Sequence, residues 1–116
     1  MRDECCGKSV IWVGDSKEVI RNFPKNIRED FGFALWQLQQ GNIPVSSRPM
    51  PSIGRAVFEL KSQDKSGWYR AIYMTKVKDK VFILHCFMKK SGKTAKNDLE
   101  LAKQRYKAVI TQERGS

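Results

Sequence analysis

The chain has 116 residues, of which 41% are apolar, so it fits one domain with one modest hydrophobic core. It carries 22 basic and 12 acidic side chains, a net charge of +10, and residues 55–116 hold fifteen of the basic and six of the acidic ones. This one-sided excess favours a polyanionic partner, either a nucleic acid or an anionic membrane surface. No stretch is apolar enough to span a bilayer and the N-terminus has no signal-peptide core, so a cytoplasmic protein is expected.

The three cysteines argue against a disulfide framework and against a structural metal. Cys5 and Cys6 are adjacent and make a poor disulfide pair, and Cys86 lies in a predicted core strand. No Cys-x-x-Cys spacing supports zinc. We therefore expect free thiols, no metal and no other cofactor.

The N-terminal quarter predicts a strand followed by a helix. Residues 1–8 are a loose polar leader, and residues 9–13 are a short strand candidate closed by a glycine. Asp15 is expected to cap a first helix over 16–23, with Glu18 completing an arrangement like a capping box.

A second helix over 25–40 has the clearest periodicity in the chain. Pro24 suits its first turn and Gly41 its end. Its apolar face comprises Ile27, Phe31, Leu35 and Leu38, widened by Ala34 and Trp36. This spacing is one face of a helix, so we expect the whole stripe, Trp36 included, to be core. The two helices together predict a helical hairpin on one face of a sheet.

Residues 41–54 form a connector rich in proline and glycine, for which no regular structure is expected. Its apolar residues can anchor it to the body of the domain: Ile43, Val45, Met50 and Ile53. The alternative is a linker between domains, but neither side is long enough for an independent domain.

Three strands follow, over 56–61, 68–77 and 81–88. A hairpin loop over 62–67 and a tight turn over 78–80 join them, so they are expected to be sequential antiparallel neighbours.

A final helix completes the domain, with Asn97 as its N-cap and Glu100 three residues later. One face carries Leu99, Ala102, Tyr106 and Val109, while Lys103, Arg105 and Lys107 point elsewhere. Residues 111–116 are expected to be a polar, frayed tail. The fold class is thus α+β: a small antiparallel or mixed sheet of about four strands, an N-terminal helical hairpin on one face and a C-terminal helix, all within residues 9–110.

The stretch 81–96 combines an apolar strand with a dense positive charge. Lysines follow the strand at its end: Lys89, Lys90, Lys93 and Lys96. Positive charge on a rigid sheet edge suits a phosphate backbone, either to bind it or to stabilise charge developing on it.

Arg70 is a charged residue in an otherwise apolar and aromatic strand. Alternation places it on one face with Trp68, Ile72 and Met74. A charge buried there without a partner costs several kcal/mol, about 3–5 by analogy with broken buried pairs. Two explanations stay open: Arg70 pairs with a core carboxylate such as Glu59, or its face is open and binds an anion.

Glu59 and Lys61 lie near Arg70 if the hairpin has simple register. A carboxylate, an ammonium and a guanidinium form a set suited to proton transfer and charge stabilisation, and equally an ordinary cross-strand ion pair. The lone histidine, His85, lies inside the third strand, where a satisfied core residue is the commoner role, so it is a secondary catalytic candidate.

The order of these elements resembles the RelE/ParE toxin superfamily, and the motifs resemble its phage-derived, HigB-like branch. The matching segments are GDSKE at 14–18, FP at 23–24, GRAVFEL at 54–60, WYRAIY at 68–73, LHCFMKKS at 84–91, KT at 93–94 and LELA at 99–102. The resemblance covers roughly residues 10–110. Ala95 departs from it, because the family commonly carries proline there.

This resemblance implies a type II toxin that cuts mRNA on the ribosome and inhibits translation without a metal. Arg70 matches the arginine with the phosphate role, and Lys89 and Lys90 match the basic residues after the last strand. Glu59 and Lys61 match positions where relatives differ, so the general acid and base stay open. The candidate RNA-binding residues are Lys65, Trp68, Lys93 and Lys96.

The resemblance also implies a partner, an antitoxin with a helix-turn-helix DNA-binding domain (HigA-like), and the ribosome with its mRNA. The alternative function is a non-catalytic nucleic-acid-binding module or a ParE-like toxin directed at gyrase, since fold does not fix function. Membrane-surface binding fits poorly, because the basic residues are not on one helix opposite a wide apolar face.

Overall fold

The computed structural model of the chain describes residues 8–77, 79–89 and 96–115. Its elements, in chain order, are strand β1 (Ser9–Trp12), helices α1 (Ser16–Arg21) and α2 (Lys25–Gln39), strands β2 (Ser47–Pro49), β3 (Val57–Asp64), β4 (Gly67–Val77) and β5 (Lys80–Lys89), and helix α3 (Lys96–Gly115). The predicted leader, apart from Lys8, and the candidate residues Lys90 and Lys93 lie outside the described residues.

The strands form one mixed sheet in the order β1-β5-β4-β3-β2. β1 runs parallel to β5, and the other pairs are antiparallel. The α+β class and the antiparallel order of β3, β4 and β5 are confirmed, but the sheet has five strands where about four were predicted. The additional strand is β2, in the connector expected to lack regular structure. Pro49 is tolerated there because β2 is an edge strand, where a missing N–H donor can face solvent.

Two apolar clusters lie on the two faces of the sheet. The cluster under α1 and α2 includes Ile27, Phe31, Leu38, Leu60 and Tyr73. The cluster under α3 includes Val57, Leu84, Ala102 and Val109. The predicted alternation along β4 is confirmed, because Tyr69 and Ala71 belong to the first cluster and Ile72 and Met74 to the second. Arg70 therefore lies on the α3 side of the sheet.

A β-bulge in β5 changes which residues face α3. Ile72 lies opposite His85 and Tyr73 opposite Ile83, so Leu84 is an extra residue without a direct partner. Leu84 packs in the cluster under α3, and His85 hydrogen-bonds to residues of the same helix. Simple alternation would have put these two neighbours on opposite faces.

Helix α2 ends as predicted but exposes one residue that was predicted to be core. Gly41 has a φ of 90°, and the amides of Gly41 and Asn42 donate to the carbonyls of Leu38 and Gln37, as in a Schellman motif. Trp36, however, is 54% exposed. It lies two residues from the buried Leu38, about 200° around a helix of 3.6 residues per turn.

Several predicted boundaries differ from the structure. β3 continues to Asp64, so residues 65–66 alone make the turn to β4; the Asp64 carboxylate accepts bonds from the amide and hydroxyl of Ser66 there. The polar tail predicted from Thr111 is instead the last turn of α3, where Glu113 pairs with Lys80 at 3.6 Å.

Two of the four apolar residues that were predicted to anchor the connector do so. Ile53 is buried and Met50 packs against the α3-side cluster, whereas Ile43 and Val45 are exposed. Gly54 allows α3 to approach closely, because a Cβ there would lie 2.3 Å from the Tyr106 ring.

Candidate functional site

A buried ion pair lies on the α3 side of the sheet. Nη1 of Arg70 is 2.6 Å from Oε1 of Glu59, and both residues are 1% exposed. Of the two explanations open for Arg70, the structure therefore shows the pairing with Glu59. Such a pair offsets part of the desolvation cost of both charges, and it holds the guanidinium in one orientation.

Lys61 and Trp68 lie beside this pair and are partly exposed. Lys61 is directly opposite Arg70 in the β3–β4 register, as the simple-register expectation required. The Lys61 ammonium is 5.4 Å from the centroid of the Trp68 ring, and Cζ of Arg70 is 5.9 Å from it. Trp68 thus lies within cation–π range of two positive side chains.

A second polar group connects β5 to the first turn of α3. Oδ1 of Asp98 is 2.8 Å from Nε2 of His85, and Oδ2 is 3.0 Å from Nζ of Lys89. An acidic residue is favourable in the first turn of a helix, where backbone amides point outward. His85 is buried and stacks on Phe87 at 5.0 Å between ring centroids.

Arg105 of α3 completes the surroundings of His85. Its Nη1 donates to the carbonyl of Leu84 at 2.9 Å and lies 3.5 Å from Nδ1 of His85, while Nη2 donates to Asp15 at 3.0 Å. Because a guanidinium only donates, this geometry places the proton of a neutral His85 on Nε2, where it donates to Asp98.

These contacts correct two predictions. Arg105 does not point away from the core, and the carboxylate of Asp15 makes no capping bond to α1. Gly14 has a φ of 60°, which favours glycine, and a Cβ there would lie 2.6 Å from the Arg105 guanidinium, so a side chain at this position would displace that group.

The structure brings most of the predicted site residues onto one face. Lys89 is directly opposite Trp68 in the β4–β5 register, which links the Lys61–Trp68 pair to the Asp98 group. Lys65 is exposed at the hairpin tip and, with Trp68, lines a cavity of about 630 Å³. Lys96 is exposed at the start of α3. Lys90 and Lys93 lie outside the described residues.

Asp98 and Arg105 were missed by the sequence reasoning. Asn97, predicted as the N-cap, lies within α3, and the acidic residue that directly follows it was an available signal for Asp98. No local signal could have found Arg105, because its carboxylate partner is 90 residues away in the chain.

Two groups that could act as nucleophiles elsewhere in the domain are kept neutral at neutral pH. Burial raises the pKa of the Cys86 thiol to about 12 and that of the Tyr73 hydroxyl to about 12, so neither is an ionised nucleophile. Within residues 8–77, 79–89 and 96–115, no three His, Cys, Asp or Glu side chains cluster to hold a metal ion. Across the same ranges, no helix combines the length and apolar character needed to cross a membrane.

Solved toxin structures share this fold. A double mutant of the E. coli toxin RelE in the free state aligns with a TM-score of 0.59 at 14% identity, covering 89% of this chain and 98% of that one. The isolated E. coli RelE toxin aligns with a TM-score of 0.51 at 17% identity, covering 90% and 97%. The toxin–antitoxin complex RelBE2 of Mycobacterium tuberculosis gives 0.50 at 16% identity, covering 78% and 100%.

Sequence comparison identifies the family directly. No curated protein sequence matches the chain significantly. A family model described as Phage derived protein Gp49-like (DUF891) matches residues 18–107, which is most of the chain. The resemblance to the phage-derived branch of the RelE/ParE superfamily is thereby confirmed: the chain belongs to the Gp49-like family and has a RelE-like fold.

Proposed function

We propose that this protein is the toxin of a type II toxin–antitoxin pair, a HigB-like endoribonuclease that cuts mRNA on the ribosome. The Gp49-like family and the RelE-like fold support the toxin class. The observation that carries the nuclease is the sheet face on which Lys61, Trp68, Arg70 and Lys89 lie together. We call this face the cationic face.

The reaction that suits such a face is transfer of the phosphate to the neighbouring 2′-hydroxyl. That oxygen attacks the phosphorus, its proton leaves to a base, and the 5′-oxygen departs with a proton from an acid. The products are a 2′,3′-cyclic phosphate and a free 5′-hydroxyl. Cations fixed in place stabilise the charge that develops on the phosphate oxygens, without any metal.

Partial exposure favours Lys61 and Lys89 for direct phosphate contact. Arg70 lies beneath Lys61 and Trp68, held by Glu59, and supplies a fixed positive centre there. A general-base role for Glu59 requires the ion pair to separate, and one for His85 requires Asp98 to release Nε2. The general acid and base are therefore left unassigned, and Lys90 stays a candidate for the phosphate as well.

Trp68 fits a role in holding the RNA. Every base has a π-face, so a partly exposed indole with flanking cations binds single-stranded RNA by stacking, worth about 1–3 kcal/mol per base. Lys65 lines the same hairpin-tip cavity and can contact a neighbouring phosphate. We assign Lys96 and Lys93 the same backbone-binding role from their places in the sequence.

The test is to express the protein in bacteria and map new mRNA 5′ ends within translated frames. Wild type should produce cleavage in phase with codons, and Lys61→Gln should reduce it about tenfold or more by removing a phosphate contact. Lys17→Gln, an exposed lysine on α1, is the matched control and should cleave like wild type. Arg70→Ala is a poorer probe, because it removes the buried ion pair with Glu59 and costs stability.

Toxicity without mRNA cleavage, or toxicity accompanied by DNA damage, would contradict the nuclease and favour the gyrase-directed alternative. Equal loss in Lys61→Gln and Lys17→Gln would contradict the assignment of the cationic face.

A neutralising antitoxin encoded beside this chain is part of the proposal. One structural relative is a toxin–antitoxin complex, which supports a partner of this kind. A HigA-like partner with a helix-turn-helix domain is the form that the HigB-like resemblance favours.

A further inference from the structure

Asp98, in the first turn of α3, is an acidic residue beside the cationic face, and the proposed chemistry gives it no role. Its side chain is only 18% exposed. Both carboxylate oxygens have a partner, since Oδ1 is 2.8 Å from Nε2 of His85 and Oδ2 is 3.0 Å from Nζ of Lys89. A carboxylate weakens the attraction of nearby cations for phosphate, so its presence here calls for a physical reason.

One end of the carboxylate is fixed from the interior of the domain. His85 is buried and stacks on Phe87, and Nη1 of Arg105 lies 3.5 Å from its Nδ1. Because a guanidinium cannot accept a hydrogen bond, the proton of the neutral ring is on Nε2 and is donated to Asp98. Arg105 is itself held by the Leu84 carbonyl at 2.9 Å. The orientation of the Asp98 carboxylate is therefore set by groups that are packed between α3 and the sheet.

The other end of the carboxylate limits where the Lys89 ammonium can lie. A lysine side chain is long and flexible, and its ammonium has several donors. Here one donor is directed to Oδ2 of Asp98, and with 27% of the side chain exposed the ammonium can still donate to a phosphate. Directly opposite residues of neighbouring strands share a face, so Lys89 lies beside Trp68. The ion pair thus keeps this ammonium close to the indole and away from open solvent.

The negative charge of Asp98 is partly offset by its surroundings. The residue lies in the first turn of a helix of 20 residues, where backbone amides without helical partners favour a carboxylate. The hydrogen bond from His85 uses one of its oxygens. Asp98 therefore lowers the positive potential of the cationic face less than a free carboxylate would, while it fixes the position of one lysine.

We propose that Asp98 is a positioning residue of the nuclease, which holds the Lys89 ammonium where it contacts the phosphate that is being transferred. His85 and Arg105 act one step further back, by holding Asp98. A cation that is fixed in advance stabilises developing charge better than a mobile one, because no reorganisation is needed at the moment of reaction. This inference rests on the proposed function, since only there does Lys89 contact a phosphate.

The test is a double-mutant cycle on the rate at which the purified full-length chain cleaves mRNA on ribosomes. Asp98→Asn keeps the shape of the side chain and an oxygen that can accept from His85, but it has no charge to pair with Lys89. It should slow cleavage about fivefold or more, within the range of coupling between contacting residues. In the Lys89→Gln background the same change should alter the rate by less than about twofold, because the lysine that Asp98 positions is gone.

Glu100→Gln is the matched control, because it removes a carboxylate from an exposed position near the same end of α3. Its cleavage rate should lie within about twofold of wild type, as for an ordinary surface substitution. A second measurement does not depend on cleavage. NMR relaxation of the Lys89 ammonium in the free chain should show a restricted side chain in wild type and in Glu100→Gln, and a mobile one in Asp98→Asn.

The positioning role is overturned if Asp98→Asn slows cleavage equally with and without Lys89, since Asp98 then acts through the fold. It is also overturned if either single variant leaves the rate unchanged, or if the Lys89 ammonium is already mobile in wild type. Faster cleavage by Asp98→Asn than by wild type overturns it as well, because the carboxylate then only masks the lysine. Each of these results with cleavage by wild type rejects the positioning role alone, whereas no cleavage by wild type rejects the nuclease and the positioning role together.

Discussion

Burial keeps the thiol of Cys86 out of the chemistry of this protein. The side chain lies in the cluster under α1 and α2, and desolvation raises the pKa of the thiol from its ordinary value of 9.0 to about 12. Burial likewise raises the pKa of the Tyr73 hydroxyl from 10.0 to about 12, although this hydroxyl is hydrogen-bonded to Ser47 at 2.7 Å. Both groups are neutral in the folded chain over the whole physiological pH range.

We expect Cys86 to resist thiol reagents in the folded protein. Because the thiolate is the reactive form, native wild type and native Cys86→Ala should show the same number of fast-reacting thiols, while in urea the variant shows one fewer. A native wild type with one additional fast thiol would contradict the burial of Cys86.

The same shifts contribute to a loss of stability at alkaline pH. A folded-state pKa above the unfolded one means that the neutral forms stabilise the fold fully below pH 9 and that this contribution is lost as pH rises towards 12. The melting temperature of Cys86→Ala should therefore fall less than that of wild type between pH 9 and pH 12.

At the scale of elements, α3 is connected to the sheet through polar contacts as well as through its apolar face. Asp98 joins its first turn to His85 and Lys89, and Arg105 joins its middle to the Leu84 carbonyl and Asp15. The β-bulge in β5 makes this possible, because it turns His85 towards the helix. Because Asp98 of α3 pairs with Lys89 at the end of β5, the orientation of the helix and that of the lysine side chain depend on each other.

We expect Asp98→Ala to loosen the start of α3. It removes one hydrogen bond and one partly exposed ion pair, so the free energy of unfolding should fall by about 1–2 kcal/mol. Hydrogen exchange should speed up in the first turn of α3. Glu100→Ala, at an exposed position of the same turn, is the control and should change stability by less than about 0.5 kcal/mol. Equal effects of the two variants would contradict a specific role for Asp98.

At the scale of the whole molecule, the two sides of the sheet have different characters. The α3 side presents the cationic face, and the α2 side presents an apolar patch. A net charge of +10 attracts polyanions and acidic proteins towards the chain, and the chemistry of the local surface then determines which of them binds.

Affinity for single-stranded RNA should fall steeply with salt. If about three phosphates are neutralised, affinity drops about 20-fold between 50 and 200 mM salt, from a slope of about −0.7 per phosphate. The double variant Lys61→Gln, Lys89→Gln should reduce the slope by about 1.4, measured by fluorescence anisotropy. A salt-independent affinity would show that the cationic face is not the binding surface.

The sequence by itself determined the three helices, the antiparallel succession of β3, β4 and β5, and the face of residues 68–74 in β4. These features rest on periodicity and turn residues, which act over a few positions, as the stripe of α2 and its glycine end show. The same locality explains why Arg70 and Lys61 were predicted on one face and are found there.

Only the tertiary structure decided which distant groups meet. Pairing of β2 with β3, the bulge at Leu84 and the approach of Arg105 to Asp15 depend on packing between segments far apart in the chain. Exposure of Trp36 was decided in the same way, because an apolar residue is core only where another element covers it. Local patterns specify the elements, and their burial and ion pairs follow from how the whole chain packs.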